Sequence, residues 1–497
     1  MTASTGARPG SGRVTRALFL FEARRLAGHP LVWGATVLVL ATQTYLSRDQ
    51  QPHLGIDPVN ASGLSACLAG VVLVVASLAA SRDGRHGMPE SLAALPGRAG
   101  HRTRAILLAT PLVAGLAAAV AVGGYLAIRT LGGPAAGRLD VWEPLTAVAT
   151  AMFAATLGVA VGRWARWLIA GPMVVAVLGY LIFTNAQNGP AAWLLPVMQV
   201  HKTDWPDRPS GIHLLYVLAL VAGCAALALL RHRARLAPAL ALVAAVGVAV
   251  PSGAAATSTP PVSMPRAGWV DLDDVDPRVR ERYFGPGAHR CSARQGITYC
   301  AYQGYESWIP LWEQAVLPAA NVLPPALRAR VPRVEQLTST WSYGADWDTY
   351  KIRPGMTWGH PDQRFILAQE VALWATGLRG GGDPRHRCDA SGQARTIVTL
   401  WIIGQVSPPE LPREYRLDDG YGTRLLADWS AAEVGYAERL LATPGARERV
   451  HANWATLTNP TTTIDQALPC SDWSARMTRG EERTHVADPA HHDETRR

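Results

Sequence analysis

Six stretches of the first 235 residues are built from Leu, Val and Ala with no Asp, Glu, Lys or Arg inside them: 30–47, 62–81, 105–128, 144–162, 167–184 and 212–230. A bilayer core about 30 Å thick takes roughly 20 apolar residues per helix. Each stretch is therefore read as a membrane span. A seventh run, 237–252, is Ala-rich and shorter. The expected fold is an α-helical integral membrane protein with six spans and a further seventh. It is followed by a separate, mostly helical, disulfide-containing domain.

The cations give an orientation, because Arg and Lys near span ends stay on the cytoplasmic side. With the N-terminus inside, the inner segments carry Arg8, Arg13, Arg16, Arg24, Arg25, Arg82, Arg85, Arg98, Arg102, Arg104, Arg163, Arg166, Arg231, Arg233 and Arg235. The outer segments carry only Arg48, Arg129, Arg138, Lys202 and Arg208. A seventh span then delivers residues 258–475 outside, ahead of a polar tail at 476–497. The basic start at Arg231–Arg235 followed by 237–252 also has the outline of an export signal. The chain is expected in the plasma membrane of a bacterium, with the lipid bilayer as its surroundings.

Charge also excludes a class. Residues 1–257 hold 20 Lys+Arg against 9 Asp+Glu, so the remaining 240 hold 47 − 20 = 27 against 38 − 9 = 29. The positive balance belongs to the membrane loops, and no basic surface on the outer domain calls for a nucleic acid. Ionisable groups inside spans mark ion and proton paths. Their absence argues against a proton-coupled transporter.

Two cytoplasmic features stand out. Arg13–His29, with Leu18, Phe19, Phe21 and Leu26 beside Arg24 and Arg25, has the composition of an interfacial amphipathic helix. It closes a cytoplasmic segment 1–29 ahead of the 30–235 span region. The loop 82–104 holds Pro89–Leu95, where Pro suits a first helical turn and Pro96-Gly97 ends it. A short helix there has either of two readings. It is a solvated connector, or a handle for a partner protein gripped through Leu92 and Leu95 with Glu90 and Arg98 at the rim.

Together, Phe21–Pro30 running into the first span, the Arg82–Arg104 loop and the long segment 185–211 resemble the membrane subunit of an ABC exporter of the type-2 permease class. The resemblance covers about residues 13–235. It implies an elbow helix at the N-terminus, a coupling helix at Pro89–Leu95 docking into a separate ABC ATPase subunit, and a homodimer or a heterodimer with another permease. It also implies that Trp193–Pro196 dips into the membrane. No Gly-rich turn ending in Lys-Ser/Thr is present, so ATP hydrolysis would fall to that partner. The appended domain departs from the family pattern. The rivals are a membrane-anchored sensor or binding protein and an extracytoplasmic hydrolase.

In the outer half, a Pro/Ser/Thr/Ala-rich link at 251–265 is expected to be an extended spacer. Asp271–Asp276 lacks the Gly and closing Glu of a calcium loop. Cys291 and Cys300 bracket a stretch with Gly296 that suits a disulfide-closed hairpin, which leaves Cys388 with Cys470. Their spacing fits no zinc signature. Cys67 and Cys224 lie in apolar runs. Helices are read over His360–Leu378 and Ala431–Ala442, with an apolar core run at Thr399–Ile403. Gln369-Glu370-Val371-Ala372-Leu373 has the outline of a zinc-peptidase helix with both histidines missing. No cofactor, metal site or catalytic residue is expected, and the chain is not read as an enzyme.

Overall fold

A computed structural model describes residues 11–85, 99–165, 167–184, 193–197, 209–231, 236–258, 277–337, 351–378, 388–389, 392–406, 415–418, 424–429 and 431–462. The coupling-loop residues Glu90, Leu92, Leu95 and Arg98, the acidic run 271–276, Cys470 and the tail lie outside them.

The first half is a helical bundle: α1 (Ser11–Ala27), α2 (Pro30–Leu46), α3 (Asp57–Arg85), α4 (Ala99–Leu131), α5 (Trp142–Trp164), α6 (Ala170–Thr184), α7 (Ser210–Leu230) and α8 (Leu236–Ser258). Five of these, α3, α4, α5, α7 and α8, are long and apolar enough to cross a membrane. A sixth crossing is reached if α1 and α2 count as one span bent by 49°. The break falls at Gly28-His29, just before Pro30, which has no N–H to donate back into a continuing helix. The 167–184 stretch yields a helix of only 15 residues, about 22 Å at 1.5 Å per residue.

The 237–252 run does better than its sequence promised. Helix α8 has 23 residues and continues through Pro251 to Ser258. The expected spacer is therefore helical over 251–258, about its first half. Ser252 returns its hydroxyl to the Val248 carbonyl at 2.6 Å, and Gly253 lets the helix pack against Leu194 and Tyr216.

Helix α5 is the centre of the bundle. Its Gly158 and Gly162 lie one turn apart and face α3 so closely that a Cβ on either would strike the Leu73 or Ser77 carbonyl. Ala76 and Ala80 are the α3 side chains at that crossing. Small residues four apart let membrane helices approach to backbone contact.

The outer half mixes helices with two three-stranded sheets, so it is less purely helical than expected. After α9 (Pro277–Phe284), β1 (His289–Arg294) and β2 (Ile297–Tyr302) form an antiparallel hairpin with β3 (Val334–Glu335) parallel to β2. Between them runs α10 (Ile309–Asn321); α11 (Pro361–Thr376), β4 (Cys388–Asp389), α12 (Ala394–Ile403), β5 (Tyr415–Asp418), β6 (Arg424–Trp429), α13 (Ala431–Ala442) and α14 (Ala446–Ala452) follow. The core gathers Trp308, Trp312, Trp358 and Trp401 with the inner faces of α10, α11 and α12.

Cys291 and Cys300 are register partners across β1 and β2 and are joined by a disulfide. Gln295 (φ 47°) and Gly296 (φ 83°) close the two-residue turn in the left-handed region that such hairpins require. By loop entropy alone a closure this short contributes about 2.5 kcal/mol. Cys300→Ser is accordingly expected to raise hydrogen exchange across 289–302 in the intact protein. Unchanged exchange there would show that the buried β2 strand needs no crosslink. The Cys388–Cys470 pairing lies outside the described residues.

Candidate functional site

A cavity of about 1020 Å³ lies in the first half of the chain, between α2 and α6 with α3 as its floor. Its lining on α3 runs from Ala66 to Arg82. The sixteen helical rises from Ala66 to Arg82 make about 24 Å, most of the thickness of a bilayer core. The middle is apolar, with Leu38, Val71, Leu78, Phe153 and Ile182 among its walls.

The two ends differ. One end is polar: Glu22, Arg25, His29 and Arg82 stand there. Arg82 Nη2 donates to Glu22 Oε1 at 2.8 Å, and Glu22 is 6% exposed. At the other end stand Thr150, Pro196 and Val197. Segment 193–197 packs at this point against α5 and α7. Thr150 Oγ1 donates to the Pro196 carbonyl at 2.8 Å, His213 Nε2 lies 2.8 Å from the Leu195 carbonyl, and Tyr216 OH donates to the Leu194 carbonyl at 2.9 Å. Thr150 lies eight residues into α5, about 12 Å below its outer end. Irregular backbone at such depth is tolerated where protein groups satisfy its carbonyls, and here side chains satisfy three in a row. These residues belong to Trp193–Pro196, the stretch for which a dip into the membrane is expected.

Helix α1 is tied to both helices that lead into the 86–98 loop. Glu22 binds Arg82 on α3, and Thr15 Oγ1 lies 3.0 Å from His101 Nδ1 on α4. The loop's own proposed contact residues are not described.

At the opposite end of the bundle, Arg129 was expected as an outer-loop cation but is buried in the last turn of α4. Its Nε donates to Asp57 Oδ2 at 3.0 Å, Nη1 to the carbonyls of Ser47 and Gln50, and Nη2 to that of Gln51. Asp57 also accepts from Tyr125 OH and from the His53 backbone N–H. This knot shapes the α2–α3 loop. Leu54 N–H and Ala136 O, and Ala136 N–H and Pro52 O, then pair that loop with the α4–α5 loop.

The outer domain sits on these two loops. Gly137 N–H donates to the Gly304 carbonyl at 2.8 Å, Trp308 Nε1 to the Pro134 carbonyl at 2.9 Å, and Ser307 Oγ to the Ala135 carbonyl at 2.7 Å. His53 Nε2 lies 2.7 Å from Tyr305 OH, and Ala136 is fully buried within the outer domain's own core. The domain therefore occupies the end of the bundle away from α1, which is where a crossing α8 delivers the chain.

Inside the outer domain the polar clusters are structural. Glu335 is held by Lys351 and Arg333, each at 2.7 Å. His289 stacks on Tyr302 with Nε2 2.9 Å from the Gln336 carbonyl, and burial pushes its imidazole below the usual histidine range, which keeps it neutral. On α11, Gln369 and Leu373 are buried in the core and Glu370 accepts the Arg353 backbone N–H. Among the described residues, no three His, Cys, Asp or Glu side chains converge to hold a metal.

Sequence reasoning had not singled out Glu22, Asp57, His53 or the Gly158/Gly162 pair. The glycines carried a signal, two small residues four apart in a span. The Glu22–Arg82 pair, sixty positions apart, carried none. No family model, curated protein or solved structure matches the chain.

Proposed function

We propose that the chain is the permease subunit of an ABC-type export system, driven by a separate ATPase. The observation that carries this reading is α1. It bends onto α2 and is clamped to the bases of both helices flanking the 86–98 loop, while its acidic side chain forms one end of a cavity running the depth of the bundle. A push on that loop by an ATPase is delivered to the cavity through Glu22–Arg82 and Thr15–His101. The open side between α2 and α6 is where a second permease, the same chain or another, closes the path. The exposed face of α6, with Met173, Val177 and Phe183, suits either that copy or lipid. In this arrangement the N-terminus is cytoplasmic and the outer domain extracytoplasmic.

The other reading, a membrane-anchored sensor or binding protein, is favoured by the bonding of the outer domain to two bundle loops. The two separate on one experiment. Leu92→Asp with Leu95→Asp should release the ATPase that co-purifies with the wild type on this reading, with insertion and topology intact. Buried interface anchors commonly contribute about 2 kcal/mol or more each, so binding should weaken by several hundredfold. Equal recovery of the ATPase with wild type and double variant would overturn the permease reading, because a solvated connector tolerates such changes within about 0.5 kcal/mol.

A further inference from the structure

We propose that the cavity along α3 binds an amphiphile whose head carries both an anionic group and a primary amine, with the head at the Glu22–Arg82 end. The inference deepens the transport reading by naming the substrate class, and it rests on that reading for the step of carriage, not for binding.

The polar end holds two guanidinium groups, Arg25 and Arg82, and one carboxylate, Glu22. Arg82 satisfies one oxygen of that carboxylate; the other, Oε2, is buried with no hydrogen-bond partner, and His29 Nδ1 on the same wall also has none. A buried acceptor left unmatched is unusual, since most such groups are paired. A ligand amine supplies the missing donors and the charge that the carboxylate favours. A phosphate-like group fits the arginines, which bind planar and tetrahedral oxyanions through paired N–H groups. An anion alone would leave Glu22 unmatched and draw its negative charge near; an amine alone would leave Arg25 unneutralised. Beyond the head the α3 wall from Ala79 back to Ala66 is apolar for about 20 Å, which suits acyl chains. The volume of about 1020 Å³ stands at the top of the usual range for ligand pockets, about 300–1,000 Å³. Glu22 and Arg25 lie on the helix expected at the inner interface, the depth at which a lipid head would enter.

Binding is measured on the purified full-length protein without ATPase, by native mass spectrometry against three phospholipids with the same acyl chains. These carry an ethanolamine head (phosphate with N–H donors), a choline head (phosphate and cation, no N–H donor) and a glycerol head (phosphate only). The ethanolamine lipid should bind at least about tenfold more tightly than the other two, a difference of about 1.4 kcal/mol. Glu22→Gln should bring the three within about twofold of each other, since the amide still accepts from Arg82 but lacks the charge that holds an ammonium. Gly179→Trp, at a position where an added Cβ meets nothing within 4 Å, should block the cavity and weaken all three alike with the Glu22–Arg82 pair untouched. Equal affinity of the wild type for the three heads, a preference that survives Glu22→Gln, or undiminished binding in Gly179→Trp overturns the proposal. Neither result bears on ATPase recovery, so the failure of this inference and that of the permease reading are told apart.

Discussion

Leucine at both Gly158 and Gly162 is expected to abolish recovery of a folded, detergent-stable protein. At each position the new Cβ would meet a main-chain oxygen of α3, Leu73 O or Ser77 O, with Ala76 or Ala80 alongside. None of these partners can rotate away. Relief comes only from parting α3 and α5, the pair on which the cavity floor rests. Overpacking a well-packed core costs about 1–3 kcal/mol per site, and two clashes on one crossing sum to about 2–6 kcal/mol, enough to cancel a stability at the low end of the usual range of about 5–15 kcal/mol. Gly179→Leu is the internal control: its Cβ has open space, and it should stay within about 0.5 kcal/mol of wild type. Thermal stability by fluorescence-detected size exclusion reads both. A double variant as stable as the control would show that α3 and α5 are not in backbone contact.

Arg129→Leu is expected to be nearly as damaging, by a different route. It leaves the Asp57 carboxylate buried without its countercharge and strips donors from three carbonyls, those of Ser47, Gln50 and Gln51. Breaking a buried pair by removing one partner costs about 3–5 kcal/mol. Arg129→Lys keeps the charge but has no fork to reach both the carboxylate and the carbonyls, so its stability should fall between the two. Hydrogen exchange locates the effect: residues 47–57 and 132–137 should lose protection first, and the outer domain's contacts at 303–308 with them. Protection lost evenly through the bundle, or not at all, would refute the assignment of this knot to the loops.

The helices were legible because apolar runs bounded by Arg, Pro and Gly declare themselves in any window. The bend before α2 was legible too, since Pro30 cannot continue α1. The Cys291–Cys300 hairpin could be read from Gly296 and the length between the cysteines. What the sequence did not disclose is long-range and mostly main-chain. Pro134–Gly137 contributes carbonyls and one N–H to the outer domain, and backbone groups leave no mark in side-chain pattern. Arg129 looked like one more loop cation because its counterion lies 72 positions away. The first part of the link, 251–258, continues the helix because Pro, Ser and Ala describe a spacer and the end of a helix equally well. Glu22 was passed over as an ordinary charge on an amphipathic stretch; only its place on the cavity wall gives it a chemistry.

The contacts of the outer domain with the α2–α3 and α4–α5 loops have a mechanical meaning. Those loops are the tips of two helical hairpins, and the domain clasps both, through Trp358 to Gln51 on one side and Gly304 to Gly137 on the other. It behaves as a yoke. The hairpins cannot splay at that rim without tearing polar bonds or carrying the domain along, so the clasped rim is the pivot and the opposite face is the end left free to open. On the permease reading proposed above, a molecule that gripped the domain would brace that pivot and slow transport with no need to enter the cavity.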